Sequence, residues 1–147
     1  MRSFVLSARN FQGLIDDLID ARKTFSVAYD LGYSNYTFEL WLLLHVTDMN
    51  APLADRYHYL DYINRAFGTT YKSLSEYKKA DNFCQILKDS ITLEAVLKAI
   101  ERSERLRDRR SKTDSLTEYR GISFYEDNPD TTVDKVVQYI FQVCGVL

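Results

Sequence analysis

The stretch that most constrains this 147-residue chain is Glu39-Leu40-Trp41-Leu42-Leu43-Leu44-His45. Five successive apolar residues leave a helix no solvated side over a full turn, so a helix here must be enclosed by protein. The run is far too short to cross a bilayer, which takes about 20 residues. Glu39 at its start and His45 at its end are therefore polar groups set beside a buried surface. They are the first candidates for chemistry.

Composition is consistent with such a core. With 46% apolar and 14% aromatic residues, the chain can bury a substantial interior without a disulfide or metal staple, and its length fits one domain over residues 1–147. A net charge of −2 argues against holding nucleic acid by bulk charge alone. Cys84 and Cys144 each fall in an apolar helical stripe and read as buried thiols. Met1-Arg2-Ser3-Phe4-Val5-Leu6 meets the polar Ser7-Ala8-Arg9-Asn10 at once and does not read as a cleavable leader. The expectation is a soluble, cytoplasmic protein that does not enter a membrane.

Residues 3–6 have strand character. Phe11, Leu14, Ile15, Leu18 and Ile19 then recur at helical spacing, with Arg22 and Lys23 suiting a helix C-terminus. Residues 25–29 return to strand-like alternation. Strand, helix and strand predict a short parallel βαβ unit with a right-handed crossover, occupying residues 1–46 together with the buried helix. Its carboxyl-end rim, residues 7–10 and 30–35, is the default site. Residues 47–147 read as helical: the overall fold class is α/β but predominantly helical. Gly68 ends one helix, Thr92 caps another, and Val133, Val136, Val137, Ile140, Phe141 and Cys144 stripe the last, which Gly145 stops. Residues 111–128 lack periodicity and read as a loop containing at most one short strand, 122–125.

The familiar catalytic signatures are missing. The five glycines are scattered rather than set in a phosphate loop, and neither the cysteines nor the histidines have zinc spacing. Arg102, Arg105, Arg107, Arg109, Arg110 and Lys112 crowd the end of one helix. They could grip a phosphate backbone, but Glu101, Glu104 and Asp108 between them describe an ion-paired, solvated helix end.

One resemblance organises these parts. Ser34-Asn35-Tyr36-Thr37-Phe38-Glu39-Leu40-Trp41-Leu42-Leu43-Leu44-His45 resembles the Ser-Asn-Pro-x-Phe-Glu-x-Trp-Leu-Leu-Leu-His signature of the RloB family, which includes the second component of the AbiL abortive-infection system. Tyr77-Lys78-Lys79 resembles the family's Tyr-x-Lys element, residues 99–105 its Ala-x-x-Arg-rich helix, and Asn128-Pro129-Asp130-Thr131-Thr132-Val133 its Asn-Pro-x-Thr-x-Val motif. All four occur in family order over nearly the whole chain.

The resemblance implies a Toprim-related protein of restriction and phage-defence loci, often encoded beside an ATPase. A Toprim site holds magnesium on an early glutamate and an Asp-x-Asp, and the metal supports phosphodiester chemistry. Here Ser7, Ala8 and Arg9 stand where the Asp-x-Asp would lie, and no upstream strand carries the glutamate. Two explanations follow: the carboxyl-terminal part of a longer protein, or a degenerate member that keeps the scaffold without catalysis. Tyr36 replaces the family's proline. The leading expectation is a phage-defence protein that is non-catalytic by itself and works through partners, an ATPase or a second copy covering exposed strand edges. The alternatives are a magnesium-dependent nuclease of DNA or RNA using Glu39, His45 and Asp30, or a small helical interaction domain in which backbone donors or Lys79 satisfy Glu39. Lys79, Arg102, Arg105 and Arg109 are the candidate nucleic-acid contacts. Ser34, Asn35, Phe38, Trp41, Asn128 and Pro129 mark the motifs.

Overall fold

A computed structural model describes residues 8–26, 31–34, 37–49, 56–125 and 129–146, and these are predominantly helical. The elements run α1 (Ala8–Thr24), α2 (Glu39–Leu44), a 3-10 turn (Arg56–His58), α3 (Tyr59–Phe67), α4 (Leu74–Tyr77), α5 (Ala80–Ser90), α6 (Leu93–Thr113), β1 (Thr117–Tyr119), β2 (Ile122–Phe124) and α7 (Val133–Val143).

The core is built around α2. All six of its residues are buried, as a helix with no polar face requires. Tyr59 and Ile63 of α3, Tyr77 of α4, Ile86 of α5 and Ala99, Ile100 and Leu106 of α6 enclose it, with Val133, Val137 and Phe141 of α7 packed on the same cluster. Each fully buried leucine contributes roughly 1.5–3 kcal/mol, so this one short helix anchors the others.

Local chemistry sets the helix ends. Thr92 Oγ1 accepts from the Ala95 N–H at 3.2 Å and Ser73 Oγ from the Glu76 N–H at 3.1 Å, each supplying an acceptor to an otherwise unpaired first-turn donor. Gly68 takes a left-handed φ of 63° after α3. The same device at Gly145, φ 68°, lets the Val146 N–H reach back to the Phe141 carbonyl at 2.8 Å and stops α7. Asn64 braces the turn after α3, its side chain bonding the Thr69 hydroxyl and the Tyr71 backbone, each at 2.9 Å.

The described residues do not contain the expected parallel βαβ unit. Residues 3–6 lie outside them, as do 27–30. Phe25 donates its N–H to the Ala21 carbonyl at 2.9 Å, so it extends the α1 hydrogen-bond ladder instead of starting a strand. Ser34 does pair as a β-bridge, but antiparallel and with Thr131. The one sheet among the described residues is the antiparallel hairpin β1–β2, in the middle of the span whose sequence reads as a loop. Thr117 faces Phe124 and Tyr119 faces Ile122 across a two-residue turn, Arg120-Gly121, with both φ angles positive at 50° and 80°. Two positive φ values give a turn whose twist matches the strands. Helix α6 also runs three residues into that span, to Thr113. Both cysteines are exposed, on the outer sides of α5 and of the α7 C-terminus, not buried as their apolar neighbours suggest.

Candidate functional site

The two ends of α2 have separate partners. Glu39 is buried at the N-terminus, where a carboxylate suits the helix dipole, and Lys78 Nζ lies 2.9 Å from its Oε1. Lys78 directly follows α4, so the Tyr77-Lys78-Lys79 element delivers its middle residue to the carboxylate; Lys79 is exposed at the start of α5. Tyr77 is fully buried beside this pair, and burial, then the Glu39 charge, push its phenol pKa up. Glu39 Oε2 and Tyr77 Oη have no hydrogen-bond partner in the protein.

At the other end His45 Nδ1 sits 2.9 Å from the Trp41 carbonyl oxygen. A carbonyl only accepts, so Nδ1 carries the hydrogen and Nε2 the lone pair. The ring meets the Trp41 indole edge-on, centroids 5.0 Å apart. Burial, and then the charge of Arg102, hold His45 below its ordinary 6.5, which keeps it neutral at pH 7. Glu39 and His45 are six positions apart on one helix, about 9 Å of rise and about 120° around the axis. The structure does not bring them to a common point.

The candidate nucleic-acid residues divide as well. Arg102 turns inward, donating to the Leu44 carbonyl at 2.7 Å and approaching Asp48 Oδ1 at 3.5 Å. It thereby satisfies the C-terminus of α2, where a cation is favoured. Arg105 reaches the same Asp48 oxygen at 3.2 Å. Arg109 is exposed and bonds the Arg105 carbonyl at 3.2 Å. Arg105, Arg109 and Lys79 are thus surface cations, while Arg102 belongs to the interior.

A second polar cluster joins the two longest family motifs. The Thr132 N–H donates to the Tyr33 carbonyl at 2.8 Å, and the Tyr33 N–H donates to Thr132 Oγ1 at 3.0 Å. The Thr131 hydroxyl reaches the Tyr33 carbonyl at 3.0 Å and the Thr132 hydroxyl the Leu31 carbonyl at 3.1 Å. The Tyr33 phenol donates to Asp130 Oδ2. From α6, Arg107 forks onto the fully buried Asp134 at 2.7 and 2.5 Å and donates to the Thr131 carbonyl at 2.7 Å. Burial raises the Asp130 pKa, with Tyr33 and then Arg107 opposing the rise; burial and then the Asp130 charge push the Tyr33 phenol up. Ser34 Oγ and Asp130 Oδ1 have no protein hydrogen-bond partner.

Of the other motif residues, Trp41 and Pro129 are buried and Phe38 is half exposed. Asn35, Asn128 and Asp30 lie outside the described residues. Sequence reasoning passes over Tyr33, Asp130 and Asp134 and gives Arg107 no separate role. The available signal is the Asn128–Val133 motif itself, in which Asp130 stands between Pro129 and two threonines.

A family model described as RloB-like protein matches residues 11–140. The chain belongs to the RloB-like family. No curated protein and no solved structure matches it. Among the described residues, no helix is long and apolar enough to cross a membrane. The magnesium site that a Toprim relationship implies does not fit what is present. Alanine and arginine, at positions 8 and 9, are residue types without a side-chain oxygen ligand. The Glu39 carboxylate is paired with Lys78, and no group of three or more His, Cys, Asp or Glu among the described residues could hold a metal.

Proposed function

We propose that this chain is the partner-binding module of an RloB-like phage-defence system, of the abortive-infection or restriction-linked kind, and performs no chemistry by itself. The observation that carries the reading is how the signature residues are used. Glu39 is neutralised by Lys78, His45 is held on the Trp41 carbonyl, and Tyr33 with the Pro129-Asp130-Thr131-Thr132 segment closes one part of the fold onto another. These polar groups stabilise a scaffold, and Ser7, Ala8 and Arg9 stand where the family's metal-binding carboxylates would be. A scaffold without those carboxylates acts through what docks on it, and an ATPase of the kind that the family resemblance implies is the first candidate.

The test is phage challenge of cells carrying the chain with and without that ATPase. Protection is expected only with both, and it should survive Glu39→Gln, which keeps the side chain's shape. The competing nuclease reading predicts plasmid nicking by the purified chain in magnesium or manganese. Nicking that Glu39→Gln abolishes would overturn the non-catalytic reading.

A further inference from the structure

The core around α2 draws on α3 to α7, and no described residue of α1, β1 or β2 belongs to it. Ile15, the one buried side chain among residues 11–24 of α1, and Phe124 of β2 are buried elsewhere. Side chains tie these elements to each other. The Phe11 ring meets Phe124 edge-on, centroids 4.8 Å apart, and Asp16 accepts from the Tyr119 phenol at 3.2 Å and the Arg120 guanidinium at 2.5 Å. Arg120 makes that contact from φ 50°, where glycine or asparagine would be less strained. The Tyr33 side chain then fastens α1 and the hairpin to the helical body, α2 to α7. Residues 31–34 lie on that body: three hydrogen bonds join Tyr33 to Thr131 and Thr132 through its backbone. A Cβ at Gly32 would stand only 2.9 Å from Val136 of α7. From this base the Tyr33 ring packs edge-on against Phe11, centroids 5.5 Å apart. Its phenol oxygen takes a backbone hydrogen bond from Tyr125, at the end of β2, while donating to Asp130.

We infer that α1 and the hairpin β1–β2 form one lobe that opens and unfolds as a unit while the helical body stays folded, with the Tyr33 side chain as its latch. Neither part holds its shape alone. A hairpin of three-residue strands is marginal in water. Helix α1 carries Gly13 in its interior and draws its stability from packing, as helices in proteins do. Once the latch lets go, both therefore lose structure together. The contacts that hold the lobe shut are of the weak kind. The Asp16–Arg120 pair is exposed on both sides, where ion pairs contribute little, and one aromatic edge contact joins α1 to Tyr33. The body differs, because every residue of α2 is buried within it. Opening bares the Tyr33 ring and Phe124 and leaves the Tyr33 backbone on Thr132, so the protein has a releasable part that costs it none of its core. This conformational device belongs to the chain alone and goes beyond the proposed function.

Native-state hydrogen exchange of the intact chain, followed amide by amide at low denaturant, tests it. The amides of α1 and of β1–β2 should share one opening, at least about tenfold more frequent than the opening that exposes α2 and α6. Phe11→Ala removes the ring that leans on Tyr33 and Phe124. It should speed exchange about tenfold or more across both α1 and the hairpin, leaving α2 and α6 at their wild-type rates. Asp16→Asn keeps the side chain's shape and weakens only the tie between α1 and the hairpin. It should speed both by the same factor, about threefold, although the substitution lies on α1. Lobe amides that exchange no faster than those of α2, or a Phe11→Ala effect spread equally over α2 and α6, overturn the separate opening. Unrelated rates for α1 and the hairpin, or an Asp16→Asn effect confined to α1, overturn the single lobe. Phage protection plays no part in this readout, so the lobe and the proposed function stand or fall separately.

Discussion

Helices α6 and α7 pack on one core and are locked by the same buried fork, Arg107 on Asp134, yet their outer faces have opposite chemistry. Along α6, Glu94, Lys98, Glu101, Glu104, Arg105, Asp108, Arg109 and Lys112 are exposed, and Glu94 pairs with Lys98 at 2.6 Å one turn on. Along α7 the exposed residues are Lys135, Val136, Tyr139, Ile140, Gln142 and Val143, with a single charge near its start. Shared packing therefore does not explain the difference. The inward sides are what the fold needs, while the outward sides differ freely: densely charged along α6 and largely apolar along α7.

The fork between the two helices gives the largest expected effect. Removing one partner of a buried ion pair leaves the other charge uncompensated. Arg107→Ala strands a fully buried Asp134 and frees the Thr131 carbonyl, so the loss should be about 3–5 kcal/mol in urea unfolding, the higher figure discounted somewhat because Arg107 keeps some solvent access. A loss under about 1 kcal/mol, the range of surface pairs, would mean that α6 and α7 are held by apolar packing alone.

Tyr33→Phe should cost less, about 1–3 kcal/mol, because it removes a single donor from the buried Asp130. Its pH dependence has a definite sign. The folded Asp130 pKa is raised, so the folded state binds the extra proton. The stability this brings is present at low pH and lost as pH rises through the folded pKa. Without the phenol donor the charged form is worse off still. The variant's deficit relative to wild type should be smaller near pH 4 than near pH 8, and a deficit that shrinks toward pH 8 would remove Asp130 from the account.

His45, against the inner side of α6, gives a smaller effect of the opposite sign. Its folded pKa lies below 6.5. As pH falls through 6.5 the unfolded chain takes the proton first, so stability drops, with the penalty complete below the folded pKa. His45→Gln should flatten the stability profile between pH 7 and 5, where each unit of pKa difference is worth about 1.4 kcal/mol. Parallel profiles for variant and wild type would show that the imidazole is no longer excluded from water.

What is legible in the sequence is local. The Leu40–Leu44 run names its own burial, Thr92 its cap, and Gly68 and Gly145 the helix ends, because each signal acts within a few residues. What is not legible depends on distant partners. Residues 25–29 alternate like a strand, but alternation does not say what pairs with them, and Phe25 is bonded to Ala21. The hairpin turn places Arg120 at positive φ, a conformation arginine does not advertise. Glu39 reads as a buried carboxylate, but nothing along the chain shows that Lys78, not Lys79, reaches it. The clasp from Tyr33 to Asp130 spans 97 positions, and only the folded chain brings its halves together. Even the α7 stripe reads as a single inward face, because periodicity shows that a face is apolar without saying which neighbours cover it.

The smallest expected effect separates the outer face of α6 from a nucleic-acid surface. Arg109 is exposed and bonds its own helix, at the Arg105 carbonyl, so Arg109→Ala should change stability by no more than about 0.5 kcal/mol. If α6 simply faces water, the variant should also leave retention on a polyanion column and its salt dependence unchanged. If Arg105 and Arg109 grip phosphates, each removal should reduce the slope of log affinity against log salt by about one, which a salt titration with labelled duplex resolves even when binding is weak. The interleaved acids favour the first outcome: Glu101, Glu104 and Asp108 would meet the same phosphates and repel them. A flat salt response for Arg109→Ala would leave the charged face of α6 to water, and a slope lowered by about one would make it a phosphate contact.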